Sequence, residues 1–309
     1  MSWNTEELND NSLRLLSVDG LGGTTLSVIE HEAGGLPEAG NAIISGDAGA
    51  WLPDGACDLL RERMRRIDVC AVRMSAEASR AKIVTVTDDD FPRLLKPLPA
   101  CPAMLWYRGD VHTADSASVA IVGARRCTTY GIEQANLFAR RIVESDLVVT
   151  SGGARGIDAA AHRSCLVYSG RTCVVLGSGL NDLYPREHEQ LFDQVVEEGG
   201  IVLSEFPCYC SPKPVNFPRR NRIVSGLATV VLVIEAAKRS GALITARIAV
   251  EEHGRQAFVI PGRIDDASSA GCLQALADGW VGIAIEPESI VDEATCAWSR
   301  FTDTCPVIT

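Results

Sequence analysis

The feature that most constrains the fold is the stretch VVTSGGARGIDAAAH at residues 148–162, in which an apolar run meets a glycine-rich turn and a helix start. The β-branched run predicts a short strand buried on both faces. The glycines let a ligand approach the backbone closely, and the first amides of the following helix have no partner inside that helix. Arg155 adds a positive charge to the same turn. The stretch therefore predicts a strand–turn–helix unit that binds an anion, of which phosphate is the commonest.

The same turn also suits a second interpretation, in which it only packs a helix tightly against a sheet. Its spacing matches neither the GxGxxG nor the GxxxxGK[ST] pattern, and no acidic residue closes the next strand where a ribose clamp would lie. A nicotinamide cofactor and a P-loop nucleotide site are therefore not expected, and no other cofactor is indicated.

Segments of strand and helix character alternate from residue 118 to residue 285. Strict alternation with short loops requires right-handed crossovers, so the predicted class is α/β, with a Rossmann-like parallel sheet that has helices on both faces. The predicted strands are SVAIVGA, LVVTSGG, TCVVLGSG, GGIVLSEF, TVVLVIEA and QAFVIPG, with a seventh at 280–285. The predicted helices cover residues 131–145, 158–168, 188–198, 221–227 and 243–253.

Four segments are predicted along the chain. Residues 1–80 form a small helical domain, in which leucines at helical spacing around a glycine-rich turn predict a helix-hairpin-helix. Its acidic turn favours a packing or partner role over contact with a nucleic-acid backbone. Residues 81–117 form a proline-rich connector leading into the sheet, and residues 118–292 form the Rossmann-like domain. Residues 293–309 form a C-terminal tail that is too short for a winged helix.

Composition and charge indicate which cellular compartment and which kind of partner to expect. The chain of 309 residues has a net charge of −11, which by itself argues against a nucleic-acid partner. Residues 119–263, however, carry 17 Lys and Arg against 14 Asp and Glu, whereas the remainder carries 12 against 26. The 11 scattered cysteines and an N-terminus without signal-peptide features predict a cytoplasmic protein with free thiols, no metal site and no membrane segment.

Basic residues follow the predicted strands at their carboxyl ends, the edge where parallel α/β sheets bind ligands. The most specific segment is KPVNFPRRNR at 213–222, with four positive residues and no negative one. A base stacked on Phe217 and guanidiniums on phosphates would suit a single strand. The predicted DNA- and phosphate-binding residues are Gly123, Arg125, Arg126, Ser151, Gly152, Gly153, Ala154, Arg155, Gly156, Lys213, Asn216, Phe217, Arg219, Arg220, Asn221, Arg222, Lys238 and Ser240.

Structural alternatives remain open for several of these residues. Phe217 could anchor its loop in the core, and Arg222 could pair with Glu205 or Glu235. Ser240 could simply begin a helix, because serine is a preferred N-cap.

The motifs AIVGARR, SGGARGIDAAAH, VLGSGL with LYP, LSEFP, NFPRRNRIVSGL, EAAKRSGALITA and PG, in this order, resemble those of the bacterial DNA-processing protein A (DprA, or Smf) family over about residues 8–290. The resemblance implies a cytoplasmic, non-enzymatic protein that binds single-stranded DNA without sequence preference. It also implies a homodimer, formed through the Rossmann domain, that hands DNA to the RecA recombinase during natural transformation. By motif, the family's DNA pocket falls on Arg125, residues 151–156, Lys213, Phe217, Arg219, Asn221 and Arg222, with Lys238 and Ser240 nearby.

The chain departs from the family pattern at three positions. His188 stands where Asn is usual after the Tyr-Pro pair, Leu273 where Asn is usual, and Trp280 where Ala is usual. The last two positions bear on the final strand and on the dimer surface that the resemblance implies.

An alternative function of another class is a nucleotide-processing enzyme, similar to a phosphoribohydrolase, that uses the same phosphate pocket. It requires an acid or base at the rim, where Glu205 and Glu235 are the candidates and both are interpreted as partners of arginines. Ser151, Asp158 and His162 do not form a catalytic set, because an aspartate at a helix start is usually a cap. No catalytic residue is therefore predicted.

Overall fold

The computed structural model describes residues 3–304, which divide into two compact units. The N-terminal unit comprises the chain up to Arg108 together with residues 178–183 and 203–212, and the sheet unit comprises the remainder. Residues 1–2 of the predicted helical domain and residues 305–309 of the predicted tail lie outside the described residues.

The N-terminal unit is helical, as predicted, and its last elements are two paired strands. Its helices are α1 (Asp10–Leu16), α2 (Gly23–Ala33), α3 (Leu36–Ser45), α4 (Ala56–Arg65) and α5 (Val69–Ser79). Strands β1 (Lys82–Thr85) and β2 (Met104–Gly109) pair antiparallel within the segment that was predicted as a connector. The leucine spacing produces helices because one apolar face of each is buried, with Leu13, Leu26, Ile43 and Met64 fully inaccessible.

The sheet unit alternates strands and helices. Its strands are β3 (Ser118–Gly123), β4 (Val148–Ser151), β5 (Thr172–Val175), the first two residues of β6 (Ile201–Ser204), β7 (Val230–Ile234), β8 (Gln256–Val259) and β9 (Gly282–Ile283). Its helices are α6 (Thr129–Glu144), α7 (Ile157–Val167), α8 (Glu189–Glu197), α9 (Asn216–Leu227), α10 (Gly241–Glu251), α11 (Ala270–Ala277) and α12 (Pro287–Thr304). The strand order is β6-β5-β4-β3-β7-β8-β9, and neighbours from β5 to β9 pair in parallel. The predicted α/β, Rossmann-like class is confirmed.

The strand order reverses at β3, and this reversal places the candidate site. From β3 the chain passes through β4, β5 and β6 on one side and then returns to β7 on the other side. Loops that leave two neighbouring strands in opposite directions open a crevice at their carboxyl ends. Here the loops after β3 and β7 border that crevice.

Burial of the strands explains why this sequence forms a covered sheet. All five residues of β7, VVLVI, are buried, as a strand with helices on both faces requires. Helix α6 turns Ala135, Phe138 and Ile142 toward the same apolar cluster, at the spacing of one helix face.

Helix α9 begins earlier than predicted. The prediction of a helix over 221–227 is wrong at its start, since α9 covers Asn216–Leu227 and follows Val215 as its N-cap. Pro218 lies in the first turn, where a proline is tolerated because the amide it lacks would have no partner within the helix. Phe217 and Asn221 are four residues apart and therefore share one face of α9.

Helices α11 and α12 were not predicted, whereas the strand predicted at 280–285 is present as β9. Helix α12 covers Pro287–Thr304, so the described part of the segment predicted as a tail is helical. Its residues Ile290 and Ala294, four apart, are buried in the cluster that contains Phe138. The burial of this apolar helix face accounts for the element.

Phe138 provides a test of this packing. Replacing it with Ala removes a ring that is 1% exposed, and we expect the free energy of unfolding to fall by about 3 to 5 kcal/mol because a cavity remains. The adjacent Leu137 is 48% exposed and is the matched control, for which Ala should change that free energy by less than about 0.5 kcal/mol. Urea titration followed by circular dichroism measures both values, and equal losses would contradict the packing described.

Candidate functional site

A cleft of about 560 Å³ lies at the switch point of the sheet unit. Residues after β3, β4 and β7 and the first turns of α9 and α10 line it. Seven of the predicted site residues are in the lining, namely Gly123, Arg125, Ala154, Phe217, Arg220, Asn221 and Ser240. Tyr184, from the segment after β5, also lines the cleft and was not among the predicted residues.

The glycine-rich turn after β4 already holds an anion of the protein itself. Asp158, near the start of α7, accepts hydrogen bonds at Oδ2 from the amides of Gly152 and Ala154, at 3.2 and 3.3 Å. Ser151 is buried and donates its hydroxyl to the carbonyl of Ile121 at 2.6 Å. Two of the turn amides that the sequence assigned to a phosphate are therefore engaged by a carboxylate.

Gly156 and Gly153 shape this turn. Gly156 has a φ of +78°, and a Cβ there would lie 2.2 Å from the carbonyl oxygen of Ala124. Gly153 has a φ of +64° and faces the ring of Phe192. Glycine is required at both positions, because the backbone is left-handed and the neighbouring atoms are too close for any side chain.

Arg220 lies beneath the cleft surface rather than projecting into solvent. Its side chain is 5% exposed, and a Cβ on Gly152 would overlap its guanidinium at 1.5 Å from Nη1. Burial lowers the pKa of Arg220 to about 10, while the nearby Asp158 opposes that change. Burial raises the pKa of Asp158, and Arg220 and the turn amides oppose the rise. Gly152 thus makes room for a buried cation beside the carboxylate that fixes the turn.

Two aromatic rings and two arginines form a row at the cleft. The rings of Tyr184 and Phe217 have centroids 5.5 Å apart at an angle of 59°. The guanidinium of Arg125 lies 5.2 Å from the centroid of Phe217, and that of Arg155 lies 5.7 Å from the centroid of Tyr184. Both arginines are exposed. We call these four residues the ring row.

Arg155 is also paired with an acidic neighbour. Its guanidinium donates to the carboxylate of Glu187 and to the hydroxyl of Tyr184, the latter at 3.4 Å. The hydrogen bond lowers the pKa of Glu187 and raises the pKa of Arg155. Because both side chains are about half exposed, this ion pair contributes little to stability and is easily exchanged for another anion.

His188 holds the turn from inside, and His162 joins α7 to β5. His188 is 4% exposed, and its Nδ1 donates to the carbonyl of Gly153 at 3.0 Å. The histidine that stands where Asn is usual therefore holds the turn. His162 is fully buried, with Nδ1 2.8 Å from the hydroxyl of Thr172. Since that hydroxyl donates to the carbonyl of Val149, His162 is the donor of this bond.

Ser240 lines the cleft and also has a structural role, whereas the remaining predicted residues lie outside the lining. Ser240 accepts a hydrogen bond from the amide of Ala242 and so caps α10. Lys238 lines a second groove that Trp280 also borders. Glu235 accepts from the backbone and the hydroxyl of Thr128, so its interpretation as an arginine partner is wrong. The other predicted residues outside the cleft lining are Arg126, Ser151, Gly152, Gly153, Arg155, Gly156, Lys213, Asn216, Arg219 and Arg222.

The chemistry of the cleft is that of a binding surface with cations, ring faces and one amide. Asn221, in the lining, donates its side-chain amide to the carbonyl of Gly241 at 3.3 Å. Within residues 3–304, no cluster of three His, Cys, Asp or Glu side chains is arranged to hold a metal ion. In the same part of the chain, each helix is too short or too polar to cross a bilayer.

His162 gives a pH test of the packing between α7 and β5. Burial lowers its pKa from 6.5 to about 3, so the folded protein keeps it neutral while the unfolded chain binds a proton below pH 6.5. Its contribution to stability is therefore complete above pH 6.5 and is lost progressively as the pH falls toward 3. His162→Gln retains a donor for Thr172 but cannot bind a proton in the unfolded chain. Between pH 6 and pH 5, we expect its free energy of unfolding to fall by about 1 kcal/mol less than that of the parent. Urea titrations at the two pH values measure this, and identical losses would contradict a buried neutral His162.

Comparison with sequences of known proteins finds one family along most of the chain. The model of the family described as DNA recombination-mediator protein A matches residues 82–295. Protein Smf of Escherichia coli is 40% identical over 210 residues, which are 68% of this chain and 56% of that protein. DNA processing protein DprA of Streptococcus pneumoniae is 38% identical over 218 residues, 71% of this chain and 76% of that protein. The chain spans about half the length of the Escherichia coli and Synechocystis relatives that it matches.

Two solved structures are similar across most of their length. The X-ray structure of DNA processing protein A from Streptococcus pneumoniae has a TM-score of 0.77 and 30% identity, covering 93% of this chain and 98% of that one. DNA processing protein A from Helicobacter pylori, whose structure is described for its single-stranded DNA binding mode, has a TM-score of 0.62 and 27% identity. The match covers 69% of this chain and 96% of the Helicobacter pylori chain.

Proposed function

The chain belongs to the DNA recombination-mediator protein A family, as its motifs indicated, and on this premise we propose that its sheet unit binds single-stranded DNA in the switch-point cleft. Binding is to the sugar-phosphate chain and to base faces, without sequence preference. The proposal is for a non-enzymatic DNA-binding protein that takes part in DNA processing.

The ring row carries this proposal. Exposed cations next to aromatic faces match the two components of an unpaired strand, because phosphates attract guanidinium groups and every base offers a face for stacking. Arg125 and Phe217 line the cleft, and the exposed Lys213 precedes Pro214 of the same lining. These side chains support the proposal independently of the turn amides.

The partners proposed from the family resemblance extend this function. The bound strand is protected in the cytoplasm and passed to the RecA recombinase during natural transformation, with the protein acting as a homodimer. These steps are proposals about the whole protein. A pull-down of purified recombinase with and without a single strand tests the handover, and failure to retain the recombinase would contradict it.

The alternative of a nucleotide-processing enzyme requires an acid or base free to act in the cleft. The carboxylate in the lining is Asp158, which is engaged by two turn amides beside Arg220. Glu235 is buried and accepts from Thr128, and Glu205 belongs to the N-terminal unit. Incubation with nucleoside monophosphates, followed by chromatography for released base, tests the alternative; release of base would favour it.

Arg125→Ala tests the proposed function. For the parent protein, we expect the logarithm of affinity for a single-stranded oligonucleotide to fall with the logarithm of salt concentration at a slope of about −2 to −3, as three or four neutralised phosphates require. Loss of Arg125 should weaken binding equally for different sequences and reduce the slope by about 0.7. Fluorescence anisotropy at several salt concentrations, with the matching duplex measured in parallel, provides the data.

Arg171→Ala is the matched control for that experiment. Arg171 precedes β5 at the amino end of the strand, opposite the cleft, and its ion pair with Asp146 is long, at 3.9 Å. The substitution Arg171→Ala removes the same charge as Arg125→Ala. It should leave the affinity and the slope of its salt dependence near those of the parent. A flat salt dependence of the parent, equal weakening by both substitutions, or preference for the duplex would each overturn the proposed site.

A further inference from the structure

Tyr184 and Phe217 stand in equivalent surroundings, and this equivalence suggests a second base-binding position. Each ring has one arginine over it, at 5.7 Å for Tyr184 and 5.2 Å for Phe217. The two rings are neighbours, with centroids 5.5 Å apart, and both line the cleft. The inference drawn from this arrangement rests on the proposed function, because it concerns the strand that the cleft would bind.

Phe217 is fixed from below by its packing. A Cβ on Gly177 would lie 2.9 Å from the ring. Glycine is therefore needed there for the ring to lie this close to the backbone that follows β5. Arg125 covers a face of the same ring. A base that stacks on this face of Phe217 must displace Arg125 from it.

Tyr184 is covered in the same way, but by an arginine with a second partner. Arg155 donates both to Glu187 and to the Tyr184 hydroxyl. The Arg155–Glu187 pair is about half exposed and weakly held, so a phosphate can replace the carboxylate. Stacking of a base on a ring is stronger than an exposed cation–π contact, which favours this exchange when a strand binds.

We propose that Tyr184 is a base-stacking residue of the cleft, and that Arg125 and Arg155 move from the ring faces to phosphates when single-stranded DNA binds. Two adjacent bases then stack on Phe217 and Tyr184. The arginines keep the apolar ring faces covered while the cleft is empty. Arg140 over Tyr168 and Arg247 over Trp280 are similar contacts, but those rings border other grooves.

The experiment compares two strands with the same number of phosphates, an oligothymidylate and a fully abasic strand. For Tyr184→Leu, we expect affinity for the oligothymidylate to fall about 5- to 100-fold and affinity for the abasic strand to stay as in the parent. Tyr184→Phe keeps the ring and should bind both strands as the parent does. Tyr168→Leu, which removes an arginine-covered tyrosine at the far end of α7, is the matched control and should change neither affinity.

The outcomes separate this inference from the proposed function. If the parent binds neither strand, the proposed function and the inference both fail. If the parent binds the oligothymidylate and Tyr184→Leu binds it equally well, only the inference fails. Equal losses for both strands, or a loss with Tyr168→Leu as large as that with Tyr184→Leu, would also overturn it, because a stacking contact depends on the base.

A second pair of variants tests the movement of Arg155 and does not alter either ring. Glu187→Gln should tighten binding of both strands by about 2- to 5-fold, because Arg155 then reaches a phosphate without breaking an ion pair. Glu189→Gln removes an exposed carboxylate at the start of α8 and is the control for a general charge effect. Equal tightening by the two substitutions, or no change with Glu187→Gln, would overturn the release of Arg155.

Discussion

The carboxylate of Asp158, held by the amides of Gly152 and Ala154, is the interaction on which the site depends. It satisfies the donors that a turn into a helix leaves unpaired, and it gives the buried Arg220 an opposite charge. Gly152 is the position that admits this cation, because any side chain there would occupy its place. Two amides of the turn after β4 are thereby engaged by the protein's own carboxylate, and Ala154 and Asp158 line the cleft.

Cationic and aromatic side chains line the cleft around this turn. Many Rossmann-like folds bind phosphate with the amides of this same turn. In this chain Asp158 engages two of these amides, and cations and rings lie nearby, namely Arg125, Phe217, Tyr184 and Arg155. Side chains of this type suit a ligand that is long, flexible and variable in sequence, since they can adjust to each nucleotide without reading its edge.

The sequence was sufficient for the features that depend on local pattern. Alternating strand and helix segments gave the α/β class, and Arg125, Phe217 and Asn221 were placed at the carboxyl edge, where the cleft lies. Long-range contacts could not be derived in the same way. The burial of Arg220 against Gly152 and the place of Tyr184 beside Phe217 join segments that are distant in sequence. The contacts of Asp158 are local, four to six residues along the chain, and agree with its interpretation as a helix cap. The early start of α9 shows that a proline in a basic segment is compatible with a first helical turn.

The central claim is that bases of a single strand contact the two rings of the cleft. Its most direct measurement is photo-cross-linking of a strand that carries 5-iodouracil at every base, followed by mass spectrometry of the peptides. Halogenated bases react with aromatic side chains that they contact. The account predicts adducts on Tyr184 and Phe217, which line the cleft. Adducts on Tyr168 or Trp280, which border other grooves, with none on the two cleft rings would contradict it.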